Sequence, residues 1–143
     1  MSKAADRKEK MIGVLRHWQG LERQAIDQTT EIMQETDNML IRQIMEIIRN
    51  DSVQHHRVQQ FIVDSMTKEA LFLSREDMAD VFGRLEEHDK LERETIELAK
   101  ELIAESKDPV HTLLLTYLVR DEEKHDQLLC GLDELKTHLA KLA

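Results

Sequence analysis

"GLERQAI", residues 20–26, and "KLERETI", residues 90–96, stand seventy positions apart, and the reading of that pair decides the fold. The same shift carries Gly13 onto Gly83, Leu15 onto Leu85, Glu31 onto Glu101 and Glu35 onto Glu105. It also carries Asp51 onto Asp121 and His55 onto His125. One gap-free offset predicts two copies of one unit, pseudo-repeats 4–73 and 74–143, within a single domain over 1–143. Inside each copy the apolar residues recur every three or four positions, the helical period. Met11, Leu15, Trp18, Ile26 and Met33 form one stripe, and Ile44, Ile48, Val58 and Ile62 a second. Val81, Phe82, Leu85, Ile96 and Ile103 form a third, and Leu114, Leu118, Leu128, Leu132 and Leu135 a fourth.

The stripes are interrupted at "ETDNM" (35–39), "KEALFLSRED" (68–77) and "ESKDP" (105–109). Asp37 or Asn38, Ser74 and Asp108 are of the types that cap helix N-termini, and Pro109 suits a first helical position. The spacing therefore predicts helices over 5–36, 39–67, 75–106 and 109–141, each about 45 Å long. The expected fold class is an all-α four-helix bundle built from two repeated helical hairpins.

Composition bounds the function. A net charge of −9 leaves no basic stripe for phosphates, so no nucleic-acid surface is expected. No apolar run reaches the roughly 18 residues of a membrane span, and "MSKAADRKEK" does not read as a signal peptide. The single cysteine, Cys130, supplies neither a disulfide framework nor a paired-cysteine metal site, which points to the cytoplasm.

Several polar residues fall on the inner stripes. Glu22 and Glu92 take core positions at matching places in the two copies. On the fourth helix Leu118, Glu122, His125 and Leu129 step by four, three and four, so Glu122 and His125 share the inner face, with Asp121 one turn before the histidine. On the second helix Asp51 and His55 follow the same pattern. Counted from the turns, each glutamate lies level with its histidine. Buried carboxylates need a compensating cation. No Lys or Arg occupies the inner stripes at this layer, so metal ions are expected there, of the kinds carboxylates and imidazoles suit: iron, manganese or zinc. The expected ligand set is Glu22, His55, Glu92, Glu122 and His125. Asp51, Asp121 and His88 complete it as ligands or as groups that orient the ligands. Glu31, Glu35, Glu94, Glu97 and Glu101 lie off the stripes and read as solvated. Trp18 reads as core, and His17, His56, His111 and His138 as surface.

With these residues in place, the chain resembles the ferritin-like superfamily and, within it, the rubrerythrin-type diiron proteins. The resemblance spans nearly the whole chain. It rests on the inward glutamates of "GLERQAI" and "KLERETI", the histidine of "RNDSVQHH", and the Glu-x-x-His of "RDEEKH". It implies a ferritin-like bundle holding two iron ions in a carboxylate-bridged dinuclear site that reacts with peroxide or dioxygen. Two features depart from the family. Ser52 stands where the second Glu-x-x-His would place a glutamate, and there is no rubredoxin-like cysteine pair, so a separate electron donor is implied. Three readings follow: a peroxidase or oxidase, a metal store or sensor without turnover, and a metal-free helical interaction module. A homodimer is compatible with each. The apolar "ALFL" (70–73) is expected to lie against the helices.

Overall fold

The chain was described from a computed structural model. It describes the backbone of residues 2–142 and the side chains of residues 2–135. Four helices follow one another: α1 Lys3–Glu35, α2 Met39–Thr67, α3 Arg75–Glu105 and α4 Pro109–Leu142. The all-α, four-helix class expected from the periodicity is what the structure has, with no strand among the described residues. The chain divides into two compact units, residues 1–71 and 72–143. Each is a helical hairpin, α1 on α2 and α3 on α4.

The helix starts are set by short polar side chains that take up otherwise unpaired backbone N–H groups. Ser2 accepts from Ala5 N at 3.1 Å and Asn38 from Ile41 N at 3.0 Å. Ser74 and Asp77 form a reciprocal capping box, at 2.9 and 3.0 Å. Its backbone and side-chain hydrogen bonds from Ser74 hold the Asp77 carboxyl below the usual carboxylate range. Asp108 accepts from Val110 N at 2.8 Å, with Pro109 at the first helical position, where its missing N–H leaves nothing unpaired.

The two hairpins share one internal register. Glu22 meets His55 and Arg23 meets His56 in hairpin 1 (α1–α2). Glu92 meets His125 and Arg93 meets Asp126 in hairpin 2 (α3–α4). Each second pair is the first advanced by seventy on both helices.

The seam of hairpin 1 is unexpectedly polar. Leu15, Gln19, Glu22 and Thr29 of α1 are buried with Ser52, Gln59 and Val63 of α2. Gln19 is saturated: it donates to His56 O at 3.3 Å and to Gln60 Oε1 at 3.1 Å, and accepts from Arg16 at 3.1 Å. Buried amides are tolerated when so paired. In hairpin 2, Met78, Glu92, Ile96 and Val119 are buried.

Trp18, read from sequence as core, is 49% exposed, and Met11, Leu118, Leu128 and Leu135 are also exposed. The reason is angular. In a hairpin only one stripe of each helix meets its partner, and Trp18 lies one residue, about 100° around the helix, from Gln19 in the seam. Hairpin 1 consequently has two unlike faces. One carries the polar pairs Arg16–Gln60 at 2.7 Å, Arg23–His56 at 3.0 Å and Arg49–Thr30 at 3.0 Å. The other side of the seam carries Met11, Val14, Trp18, Leu21 and Ile32 of α1, and Ile48, Val58 and Ile62 of α2, all exposed. The "ALFL" segment does not lie against the helices as expected: Leu71 is exposed and Phe72 is 82% exposed.

Candidate metal centre

The richest polar cluster forms on hairpin 2. Glu92 projects from the middle of α3, where the apolar residue Ile96 one turn on is buried in the same seam, so the glutamate is drawn inside with it. Its side chain is only 9% exposed. One carboxylate oxygen, Oε1, lies 2.8 Å from His88 Nε2 and 3.4 Å from His125 Nδ1. The other, Oε2, is buried and has no hydrogen-bond partner. From α4, Glu122 Oε2 lies 3.7 Å from the same His125 nitrogen. Glu92, Glu122 and His125 thus each offer a ligand atom, all within 4.8 Å of one another.

The 3.4 and 3.7 Å spacings of His125 from Glu92 and Glu122 are long for hydrogen bonds, which fall between about 2.7 and 3.2 Å. They suit co-ligands better: two atoms each about 2.1 Å from one ion stand roughly 3.0–3.5 Å apart. The donor set of two carboxylates and one imidazole fits iron, manganese or zinc.

The surrounding residues orient this set. His125 Nε2, the ring nitrogen turned away from Glu92, lies 3.5 Å from Asp121 Oδ2. Asp121 in turn pairs with Lys124 at 2.8 Å. A carboxylate beside the far nitrogen stands where a group that orients a ligating imidazole is found. Thr95 donates to the Glu92 carbonyl at 2.7 Å and lies 3.4 Å from Glu122 Oε2. His88 touches Glu92 and stands outside the three-residue group, so it holds Glu92 in place.

Hairpin 1 carries the matching but smaller arrangement. Glu22 Oε1 lies 3.5 Å from His55 Nδ1; the glutamate side chain is 11% exposed and the histidine 54%. Glu22 Oε2, like its counterpart, is buried without a hydrogen-bond partner. Asp51 is half-buried nearby on α2, and Ser52 is buried where hairpin 2 has Glu122. Among the described residues, hairpin 1 assembles no group of three ligands. Glu31, Glu35, Glu94, Glu97 and Glu101 are exposed, as their positions off the stripes predict.

One further prediction is corrected. His56, read as surface, is half-buried, with its ring 3.0 Å from Arg23 and its carbonyl bonded to Gln19. His17 and His111 are exposed as expected, and the His138 side chain lies outside the described residues.

The sequence reading missed a second feature, the carboxyl pair Asp89–Asp126. The adjacent Asp126 carboxyl, to which protonated Asp89 can donate, desolvation and the nearby negative charge together raise the Asp89 pKa, and Arg93 opposes them from 2.8 Å. The seventy-residue offset could have exposed this pair, because it maps Asp89 and Asp126 onto Gln19 and His56. Cys130 lies beside it. Local desolvation and the Asp126 and Asp89 carboxylates push its thiol up, the opposite of an activated nucleophile.

No helix among the described residues is long and apolar enough to cross a membrane. In comparisons with known proteins, the chain matches no family model, no curated protein and no solved structure.

Proposed function

We propose that the chain is a metal-binding protein of the ferritin-like kind, with carboxylate–imidazole ligands on each hairpin and iron as the metal. In this reading it is a cytoplasmic protein that reacts with peroxide or dioxygen and takes electrons from a separate donor. The observation that carries it is the Glu92–Glu122–His125 group, together with the buried, unpartnered oxygen of Glu92. A buried carboxylate oxygen without a donor is costly, and a cation at that point would offset the cost.

Each residue has a stated task. Glu92 and Glu122 supply negative oxygen ligands and His125 a nitrogen, while Asp121 and His88 hold His125 and Glu92 in orientation. On hairpin 1, Glu22 and His55 form the second and weaker half, with Asp51 beside them. Bound iron would supply the electron transfer to peroxide or dioxygen. The resemblance's dinuclear centre requires two ions within about 4 Å of each other, and spin coupling reads that separation directly.

A second reading is supported by the 2.8 Å His88–Glu92 contact. A ring N–H of His88 donated to Glu92 would satisfy that carboxylate oxygen without a metal, and the polar layer would then serve to fix the helix register. Titration of the chelator-treated chain with Fe(II), Mn(II) and Zn(II) separates the two. The proposal expects saturable binding that Glu92→Gln weakens at least tenfold, about 1.4 kcal/mol. Equal affinity in wild type and Glu92→Gln would exclude Glu92 as a ligand, and no saturable binding of any of the three ions would favour the metal-free reading.

A further inference from the structure

A cleft of about 350 Å³ lies between α3 and α4 and is lined by residues of hairpin 2 alone. That volume is at the lower end of the ~300–1,000 Å³ range of small-molecule sites. Buried Met78 and half-buried Phe82, Leu85 and Leu129 give it apolar walls. Among the described residues that line it, the charged ones are four acids, Glu86, Asp89, Asp133 and Glu134, and one cation, Arg93. Arg93 is already engaged, 2.8 Å from Asp89 Oδ2 and 3.7 Å from Asp126 Oδ1. The other oxygen of Asp89, Oδ1, is buried with no hydrogen-bond partner. Acids gathered on low-dielectric walls concentrate a negative potential that draws in cations.

Hairpin 1 shows what fills the same place. The seventy-residue offset maps Glu86 onto Arg16, Asp89 onto Gln19, Cys130 onto Gln60 and Glu134 onto Asp64. In hairpin 1 the Arg16 guanidinium crosses from α1 to α2. Its Nη1 donates to Gln60 Oε1 at 2.7 Å and to Gln19 Oε1 at 3.1 Å, and Gln60 in turn donates to Asp64 at 2.8 Å. Hairpin 2 has a glutamate in place of that arginine. It keeps acceptors at two of the surrounding positions and charges one of them, with Asp89 for Gln19 and Glu134 for Asp64. The guanidinium is the part of the arrangement that hairpin 2 does not supply from its own sequence.

We propose that the α3–α4 cleft binds a small organic cation, a guanidinium on an apolar stem, in the place that the Arg16 side chain fills in hairpin 1. A guanidinium presents a planar fork of donors that matches carboxylates and is more weakly hydrated than an ammonium, so it loses less on entering a half-buried site. Its alkyl stem packs on the apolar walls, as the stems of long cationic side chains do on protein surfaces. Glu92, Glu122 and His125 are not among the lining residues, so this site is separate from the metal centre and does not rest on the function proposed above.

The test is an NMR titration of the full-length, chelator-treated chain with n-butylguanidinium and with n-butylurea, its neutral isostere. The expected result is saturable binding of the cation with a Kd of about 1 mM or below, with amide shifts centred on Leu85, Asp89 and Cys130. The urea should bind at least about tenfold more weakly, because it keeps the shape and loses the charge. Glu86→Arg restores the residue of hairpin 1 and should weaken binding of the cation at least about tenfold by filling the cleft from within. Glu101→Arg makes the same change of charge at an exposed position outside the cleft and should leave the affinity unchanged. Circular dichroism checks that both variants stay helical, and the comparison of the two ligands on the wild type stands without either variant. Equal binding of the cation and the urea overturns the proposal, as does equal loss in the two variants or the absence of saturable binding. If an arginine within a glycine-flanked pentapeptide saturates the cleft while n-butylguanidinium does not, the occupant is a protein side chain and the proposal fails.

Discussion

Asp89→Asn should stabilise the protein at neutral pH and leave it nearly unchanged in acid. Asp89 is 18% exposed on its side chain, Oδ1 of Asp89 and of Asp126 are both buried without a hydrogen-bond partner, and the Asp89 pKa is raised by Asp126, by desolvation and by repulsion. The sign follows from linkage. An acid whose folded-state pKa lies above its unfolded value is favoured in its protonated form. Its contribution is complete below the unfolded carboxylate pKa and is lost as pH rises through the raised folded value. Asparagine keeps a donor toward Asp126 at every pH, as Gln19 does at the equivalent position of hairpin 1. A hydrogen bond to a charged acceptor is worth about 1.5–3 kcal/mol. Against it stands the lost Arg93–Asp89 ion pair, whose arginine is 64% exposed, so its loss costs less than ~1 kcal/mol. The net expectation is a gain of about 1 kcal/mol at pH 7.5, equivalent to a rise of roughly 3–5 °C in Tm. Urea unfolding of the metal-free chain at pH 7.5 and at pH 4 measures it. A variant destabilised at pH 7.5, or shifted equally at both pH values, would show that Asp89 and Asp126 share no proton.

Other outcomes follow from single contacts. His88→Ala removes the 2.8 Å support of Glu92 and should weaken metal binding about tenfold without abolishing it, as loss of an orienting group does; isothermal titration reads this. Ser52→Glu restores on hairpin 1 the carboxylate that Glu122 gives hairpin 2, and should raise the metal stoichiometry or affinity there. An unchanged titration would place residue 52 away from the site. Glu31→Ala and Glu101→Ala, on exposed positions, should leave metal content as in the wild type. Ser74→Ala removes the acceptor for Asp77 N and should cost about 1 kcal/mol in urea unfolding.

The parts of the fold most legible in the sequence were those written in local chemistry. The α2 range was read at its observed ends and the other three within one or two residues, because Asn38, Ser74 and Asp108–Pro109 are strong punctuation. The pairing of Glu22 with His55 and of Glu92 with His125 also followed from counting residues out from the turns. What stayed hidden was rotation about each helix axis. Period alone could not tell that Gln19, not Trp18, fills the seam, because Arg16, Gln60 and His56 make that buried amide affordable only in three dimensions. The Asp89–Asp126 pair was masked for a related reason: two acids on different helices read separately as solvated charge.

The most direct measurement of the central claim is pulsed EPR of Mn(II) bound to the His55→Ala chain, where hairpin 1 has lost its imidazole. If Glu92, Glu122 and His125 hold the metal, the spectrum will show ¹⁴N coupling from one directly bound imidazole, and adding His125→Ala will remove it. Bound Mn(II) with no nitrogen coupling, or coupling that survives the loss of His125, would contradict the assignment.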